Sequence, residues 1–293
     1  MKNFFQQIAY EFKCWTLHQY NWKIFKALKV ESYHESLFKN EVYKKQKFSL
    51  KGLEDQSLQS LESKCDREKF FLAGRLLLTW AQELFELGYK NYIIGVAWDR
   101  KACECKSDKD KESFANDMYN KAKEYFCTAK DLLKEVPSLV NGAREKLNNA
   151  LDPKGYDNLQ IEINYNLFKT YFNPTYSMLE EPSGGYDTLI SELNGVFMEI
   201  KSVFSVHEKA KQFIEECRFI STDAQIPLRF EIKFAQAEFY FEWGNSTPEN
   251  KMGNYLNAIS AYTSCLNAND INLNLFTKAV IYKKLGIIVA ESG

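Results

Sequence analysis

At 293 residues the chain is long enough for one large or two modest domains. Its 38 basic and 39 acidic side chains leave a net charge of −1, which excludes a uniformly basic nucleic-acid binder and an acidic disordered tail. Hydrophobic residues at 45% and aromatics at 15% supply ample core, yet no apolar run approaches the roughly 18 residues of a membrane span.

Glycine and proline are scarce, at 13 and 6 residues, and no proline precedes Pro137, which favours helix over turn-rich β structure. The first predicted helix covers 3–30, where Phe5, Ile8, Phe12 and Trp15, then Trp22, Phe25 and Leu28, recur at three- and four-residue steps. Polar residues Gln6, Gln7, Glu11 and Lys13 interrupt it, so it does not read as a signal peptide. The expected location is the cytoplasm, or a host cell reached by secretion without a cleavable signal. A second helix is expected over 32–47 and a short one around Leu53–Leu61. Asp66 is placed to cap a helix running from Arg67 to Leu87, with Gly88 as its left-handed terminator and 90–105 as its antiparallel partner.

A helix from Ser113 to Glu135 must stop before Pro137, and Ser138 is placed to cap the next, to about Leu151. Asp152-Pro153-Lys154-Gly155 is a turn signal, followed by a helix over 158–172. The best internal boundary is 173–185, where Asn173-Pro174 and Pro182-Ser183-Gly184-Gly185 enclose a short polar stretch. The expected organisation is therefore an N-terminal helical region, 1–172, a linker at 173–185 and a C-terminal helical domain, 186–293. Helices are predicted near 187–204, 206–221, 225–243, 253–268 and 272–291, with Thr247 and Pro248 as an N-cap and first helical residue. No segment alternates as a strand does. The fold class is all-α, with eleven or twelve helices.

The seven cysteines form no disulfide framework, being odd in number and widely spaced, so free thiols are expected. Cys103 and Cys105 stand two apart, which on a helix points them away from each other and excludes one shared ion. The three histidines make no paired metal motif, and Cys14 with His18, four apart, lacks a visible orienting third group. No phosphate-cradling loop or nucleophile elbow is present. No catalytic residue, metal or cofactor is assigned, and the chain is not expected to be an enzyme.

Three predicted helices share one stripe. Tyr119, Ala122, Phe126 and Ala129 correspond to His207, Ala210, Ile214 and Cys217, and to Tyr255, Ala258, Tyr262 and Cys265. Small residues let a neighbouring helix approach, and the large residue between them fills the groove. This stripe resembles the second helix of tetratricopeptide (TPR) repeats, while Tyr282, Leu285, Gly286 and Val289 resemble the aromatic, Leu-Gly and large positions of a first TPR helix. Equivalent alanines are 88 and then 48 residues apart, unlike the 34 of regular arrays, so the implied fold is an irregular TPR-like solenoid. The resemblance implies a concave face that binds protein, and its phase places Arg229, Lys233, Gln236, Lys283 and Ile287 on that face. Size and helical plan are also similar to those of bacterial meta-effectors, which bind and restrain another translocated effector.

Residues 1–51 carry ten lysines, four glutamates and no arginine, a net +6 that leaves −7 for the remainder. Lys23 and Lys26, with Lys44, Lys45 and Lys47 beside Tyr43 and Phe48, form an expected attachment surface for a protein partner with an acidic face. The expected function is a protein-interaction scaffold that binds and inhibits its partner. The alternatives are a nucleic-acid-binding helical repeat, disfavoured by the missing arginines, and an unrecognised helical enzyme.

Overall fold

The structure, a computed structural model, describes residues 22–30, 32, 57–106, 112–155, 157–173, 187–217, 226–268 and 273–292. Among them the only regular secondary structure is helical, and an isolated bridge joins Phe172 to Ser205. The chain is all-α. Among the described residues ten α-helices follow a helical stretch at 22–28: α1 (Leu58–Ser63), α2 (Asp66–Lys106), α3 (Glu112–Leu133), α4 (Val136–Ala150), α5 (Asn158–Tyr171), α6 (Asp187–Phe204), α7 (His207–Glu215), α8 (Ile226–Ser246), α9 (Lys251–Leu266) and α10 (Leu275–Ser292). The expected helix over 32–47, the Cys14–His18 pair and most of the 173–185 linker lie outside the described residues.

Contacts divide the chain into two compact units, Met1–Leu151 with Leu179–Val203, and Asp152–Met178 with Phe204–Gly293. This division differs from the compositional break at 173–185. The chain leaves the first unit at the Asp152–Gly155 turn, where the Gly155 amide donates to the Asp152 carbonyl and the Lys154 amide to its Oδ1. It later returns through α6, which packs Phe197 edge-on to Tyr92 and pairs Glu192 with Lys130 at 2.7 Å.

The first unit is built on α2, 41 residues in one unbroken helix about 60 Å long. Gly88 does not end it. Gly74, Ala81, Gly88, Gly95 and Ala102 form a buried seam of small residues at seven-residue steps. A Cβ at Gly74 or Gly88 would lie 2.6 Å from the side chain of Leu147 or Leu133, and one at Gly95 2.7 Å from the Phe126 ring. These glycines admit a facing helix rather than a turn. The fourteen residues from Gly74 to Gly88 match the fourteen from Leu147 back to Leu133, and the seven to Gly95 match the seven to Phe126. Thus α3 and α4 act as one rod antiparallel to α2, interrupted only by the Lys134–Glu135 turn before Pro137. Residues 90–105 belong to α2 and are not its partner. Ser138 is no cap, because α4 already starts at Val136 with Glu135 in the cap position and Pro137 in the first turn. Near the other end, Phe25 meets Trp80 edge-on, at 4.9 Å between centroids.

In the second unit, Asp157 caps α5 by accepting from the Gln160 amide. α5 and α7 pack antiparallel although α6 separates them in sequence. Tyr171 stacks on Phe213, and the Asn164 amide reaches the Glu216 carbonyl. α8 and α9 form an antiparallel hairpin with Gly244 against the Tyr255 ring and Phe234 against Tyr262. Thr247 makes no side-chain cap. It precedes a single 3₁₀ turn, Pro248–Asn250, before α9 begins at Lys251.

Candidate protein-docking face

The small–large stripes are core. Ala122, Phe126 and Ala129 are buried in the first unit, as are Ala210, Ile214, Cys217, Tyr255, Ala258, Tyr262 and Cys265 in the second. Burial pushes the Cys217 thiol up to about 12 and the Cys265 thiol up to about 11, the latter opposed by the charge of Lys233. His207 lies half-buried and stacks on Trp243, and loss of water lowers its pKa. Cys103 touches the Tyr119 hydroxyl while Cys105 faces the Met118 sulfur, so the two cysteines meet different neighbours.

Tertiary contacts seat α10 over the α8–α9 hairpin through polar groups as well as apolar ones. Ile281 and Ile288 are fully buried. Between them Lys284 reaches Glu242 at 3.2 Å and Glu238 at 3.5 Å, and lies 4.1 Å above the Phe241 ring. All three charged side chains are largely buried, and Glu238 also accepts from the Tyr262 hydroxyl. At the far end Glu291 accepts from Lys251 at 2.7 Å and from Tyr255 at 2.6 Å, which holds its carboxyl below the ordinary range. A cleft of about 260 Å³ opens beside this cluster. That is below the usual size of a small-molecule site.

Opposite this seam α10 is open. Leu275, Phe276, Tyr282 and Val289 are 84, 77, 62 and 69% exposed. Ala279, Gly286 and Ala290 are exposed among them, and a Cβ on Gly286 would meet nothing within 4 Å. At 100° per residue, positions 275, 279, 282, 286 and 289 fall on one stripe, with Lys278 on one edge and Lys283 on the other. Neither lysine forms an ion pair among the described residues. α9 adds exposed Met252 and Leu256.

The residues expected to bind a partner are distributed as follows. Lys23 and Lys26 are exposed in the first unit, Lys26 standing over the Trp22 ring. Lys44, Lys45 and Lys47 lie outside the described residues. In the second unit Arg229 and Lys233 are exposed one turn apart on α8, and Lys283 and Ile287, the latter half-buried, lie one turn apart on α10. Gln236 donates to the Ile214 carbonyl at 3.1 Å and thereby ties α8 to α7. The open stripe of α10 and the Lys284 network were missed in the sequence. A signal for the first exists: Phe234, Ala237, Tyr240 and Gly244 of α8 recur 42 residues later as Phe276, Ala279, Tyr282 and Gly286.

Among the described residues no group of three or more His, Cys, Asp or Glu is arranged to hold a metal ion, and no helix is long and apolar enough to cross a membrane. Compared with known proteins, the chain matches no family model, no curated protein and no solved structure.

Proposed function

We propose that this chain is an irregular TPR-like helical scaffold that binds a protein partner with an acidic face and inhibits it, without chemistry of its own. The observation that carries this reading is the exposure of four large apolar side chains on α10 within a helical frame fixed from behind, with Lys283 at the edge of that stripe; Arg229 and Lys233 add exposed cations on α8. Contiguous exposed apolar surface rimmed by charge is what protein interfaces are made of. The pairing of α5 with α7 and of α8 with α9, followed by α10, supports a series of antiparallel helix pairs in which α7 and α9 bury their small–large stripes. A partner that is itself a translocated effector, as for meta-effectors, fits a regulator of this size.

Steering would come from the basic N-terminal set, Lys23, Lys26, Lys44, Lys45 and Lys47, and affinity from the apolar positions. The test is affinity capture from source lysate with the wild type and with Arg229→Glu/Lys233→Glu. The wild type should retain one protein that the double variant loses. With that partner purified, Lys44→Glu/Lys45→Glu/Lys47→Glu should slow association at low salt by about tenfold and flatten its salt dependence. Unchanged capture by the double variant removes the scaffold reading, and unchanged on-rates remove the steering.

A further inference from the structure

Among the described helices of the second unit, α8 and α10 carry large apolar residues on more than one side, and such a helix gains stability from being covered on more than one side. α8 is covered by α7 on one side and α9 on the other. Its Ala237, Tyr240 and Gly244 are buried, and the notch at Gly244 is filled by the Tyr255 ring. α10 carries the same four residues at the same spacing, Phe276, Ala279, Tyr282 and Gly286, and all four face solvent. The chain therefore contains a covered and an uncovered copy of one residue pattern: in the covered copy Phe234 and Gly244 meet α9 while Tyr240 meets Glu215 of α7, and the glycine level specifies what the open copy accepts, an antiparallel helix with a large side chain opposite Gly286.

The charges narrow the choice. Lys278 and Lys283 border the open stripe on both sides, and no exposed acid lies between them. Two copies of α10 meeting face to face would set lysines against lysines, which disfavours self-association. A helix whose apolar seam is bordered by carboxylates would meet both lysines favourably. We propose that the open face of α10 docks an amphipathic, acid-bordered helix of a partner protein, seated on Gly286 as α9 is seated on Gly244. This rests on the scaffold reading above and names the partner's contribution to it.

The probe is a labelled, side-chain cross-linked helical peptide of residues 250–268 of this chain, with Cys265→Ala and with Leu256→Glu, Asn257→Glu, Thr263→Glu and Ser264→Glu beside the buried stripe. Cross-linking removes the ordering cost that would mask weak docking. Binding is read by fluorescence anisotropy against the full chain. The wild type should bind it, and should bind a version with lysine at those four positions about tenfold more weakly. Gly286→Leu fills the notch at an open position and should abolish binding, as should Tyr282→Ser/Val289→Ser, with helical circular dichroism unchanged. Loss in these variants also excludes displacement of α9 from α8 as the source of the signal.

No binding by the wild type, or equal binding by Gly286→Leu, overturns the proposal. So does a dimer in analytical ultracentrifugation that Tyr282→Ser dissolves, or sedimentation with anionic phosphatidylserine vesicles that the same variant abolishes. If Gly286→Leu still captures the lysate partner that Arg229→Glu/Lys233→Glu loses, the docking inference fails while the scaffold reading stands.

Discussion

Gly95 sits deep inside a 41-residue helix, where glycine costs about 1 kcal/mol relative to alanine. The cost is offset because α3 comes so close that any side chain at this position would overlap the buried Phe126 ring. Gly195, in the middle of α6, meets nothing within 4 Å and carries the helix penalty with no packing return. The same kind of substitution should therefore act with opposite sign. Gly95→Val should lower unfolding free energy by about 1–3 kcal/mol, and Gly195→Ala should raise it by up to about 1 kcal/mol, both read from urea denaturation. The sequence alone does not separate these two residues, because glycine's meaning in a helix depends on what lies opposite. Gly88 shows the difficulty most clearly. Local rules mark it as a terminator, and only the seven-residue seam from Gly74 to Ala102 identifies it as a contact.

At the scale of the element, α10 is held by a charge cluster as much as by Ile281 and Ile288. Lys284 lies between two glutamates that are themselves largely removed from water. Removing the cation leaves their repulsion uncompensated, which costs more than the pair contributes when intact. Lys284→Ala should lower stability by about 1–3 kcal/mol, after allowance for residual solvent screening. Hydrogen exchange should show the loss first in the amides of α10, before those of α2. Equal protection of α10 in variant and wild type would show that the isoleucines hold it alone. The helix itself is readable from sequence to within three residues, expected at 272–291 and observed at 275–292. Its buried face is not, since apolar residues surround the helix and periodicity points nowhere in particular. The candidate site is thus only half legible. The repeat phase puts forward Lys283, which stands at the stripe's edge, and Ile287, which is half-buried and lies off it, whereas the exposure of Leu275, Phe276, Tyr282 and Val289 emerges from the absence of a covering helix on that side among the described residues.

For the molecule as a whole, ionisable groups in the second unit make stability depend on alkaline pH. Burial pushes up the phenols of Tyr165, Tyr240 and Tyr262, with Glu215 beside Tyr240 and Glu238 beside Tyr262 adding to it. The unfolded chain releases these protons near pH 10 while the folded chain keeps them, so the unfolded state gains as pH rises. The buried thiols of Cys217 and Cys265 begin this loss near pH 9, and above about pH 10 each buried phenol, Tyr240 and Tyr262 foremost, adds about 1.4 kcal/mol per pH unit. In a titration, part of the tyrosinate absorbance should appear only together with loss of helical circular dichroism. Full ionisation with helix intact would show that these hydroxyls are open to water.

Composition, spacing and proline placement determine that the chain is helical and where most helices begin and end, because helix formation answers to neighbours three and four residues away. They also mark the small–large stripes as contact surfaces, because a stripe of that geometry is useful only against another helix. Which helix lies opposite is decided elsewhere. The continuity of α2 through Gly88, the pairing of α5 with α7 across the intervening α6, and the uncovered face of α10 all depend on contacts between residues far apart in sequence. Burial is a property of pairs of surfaces, and a sequence read along one strand of chain presents each surface without its mate.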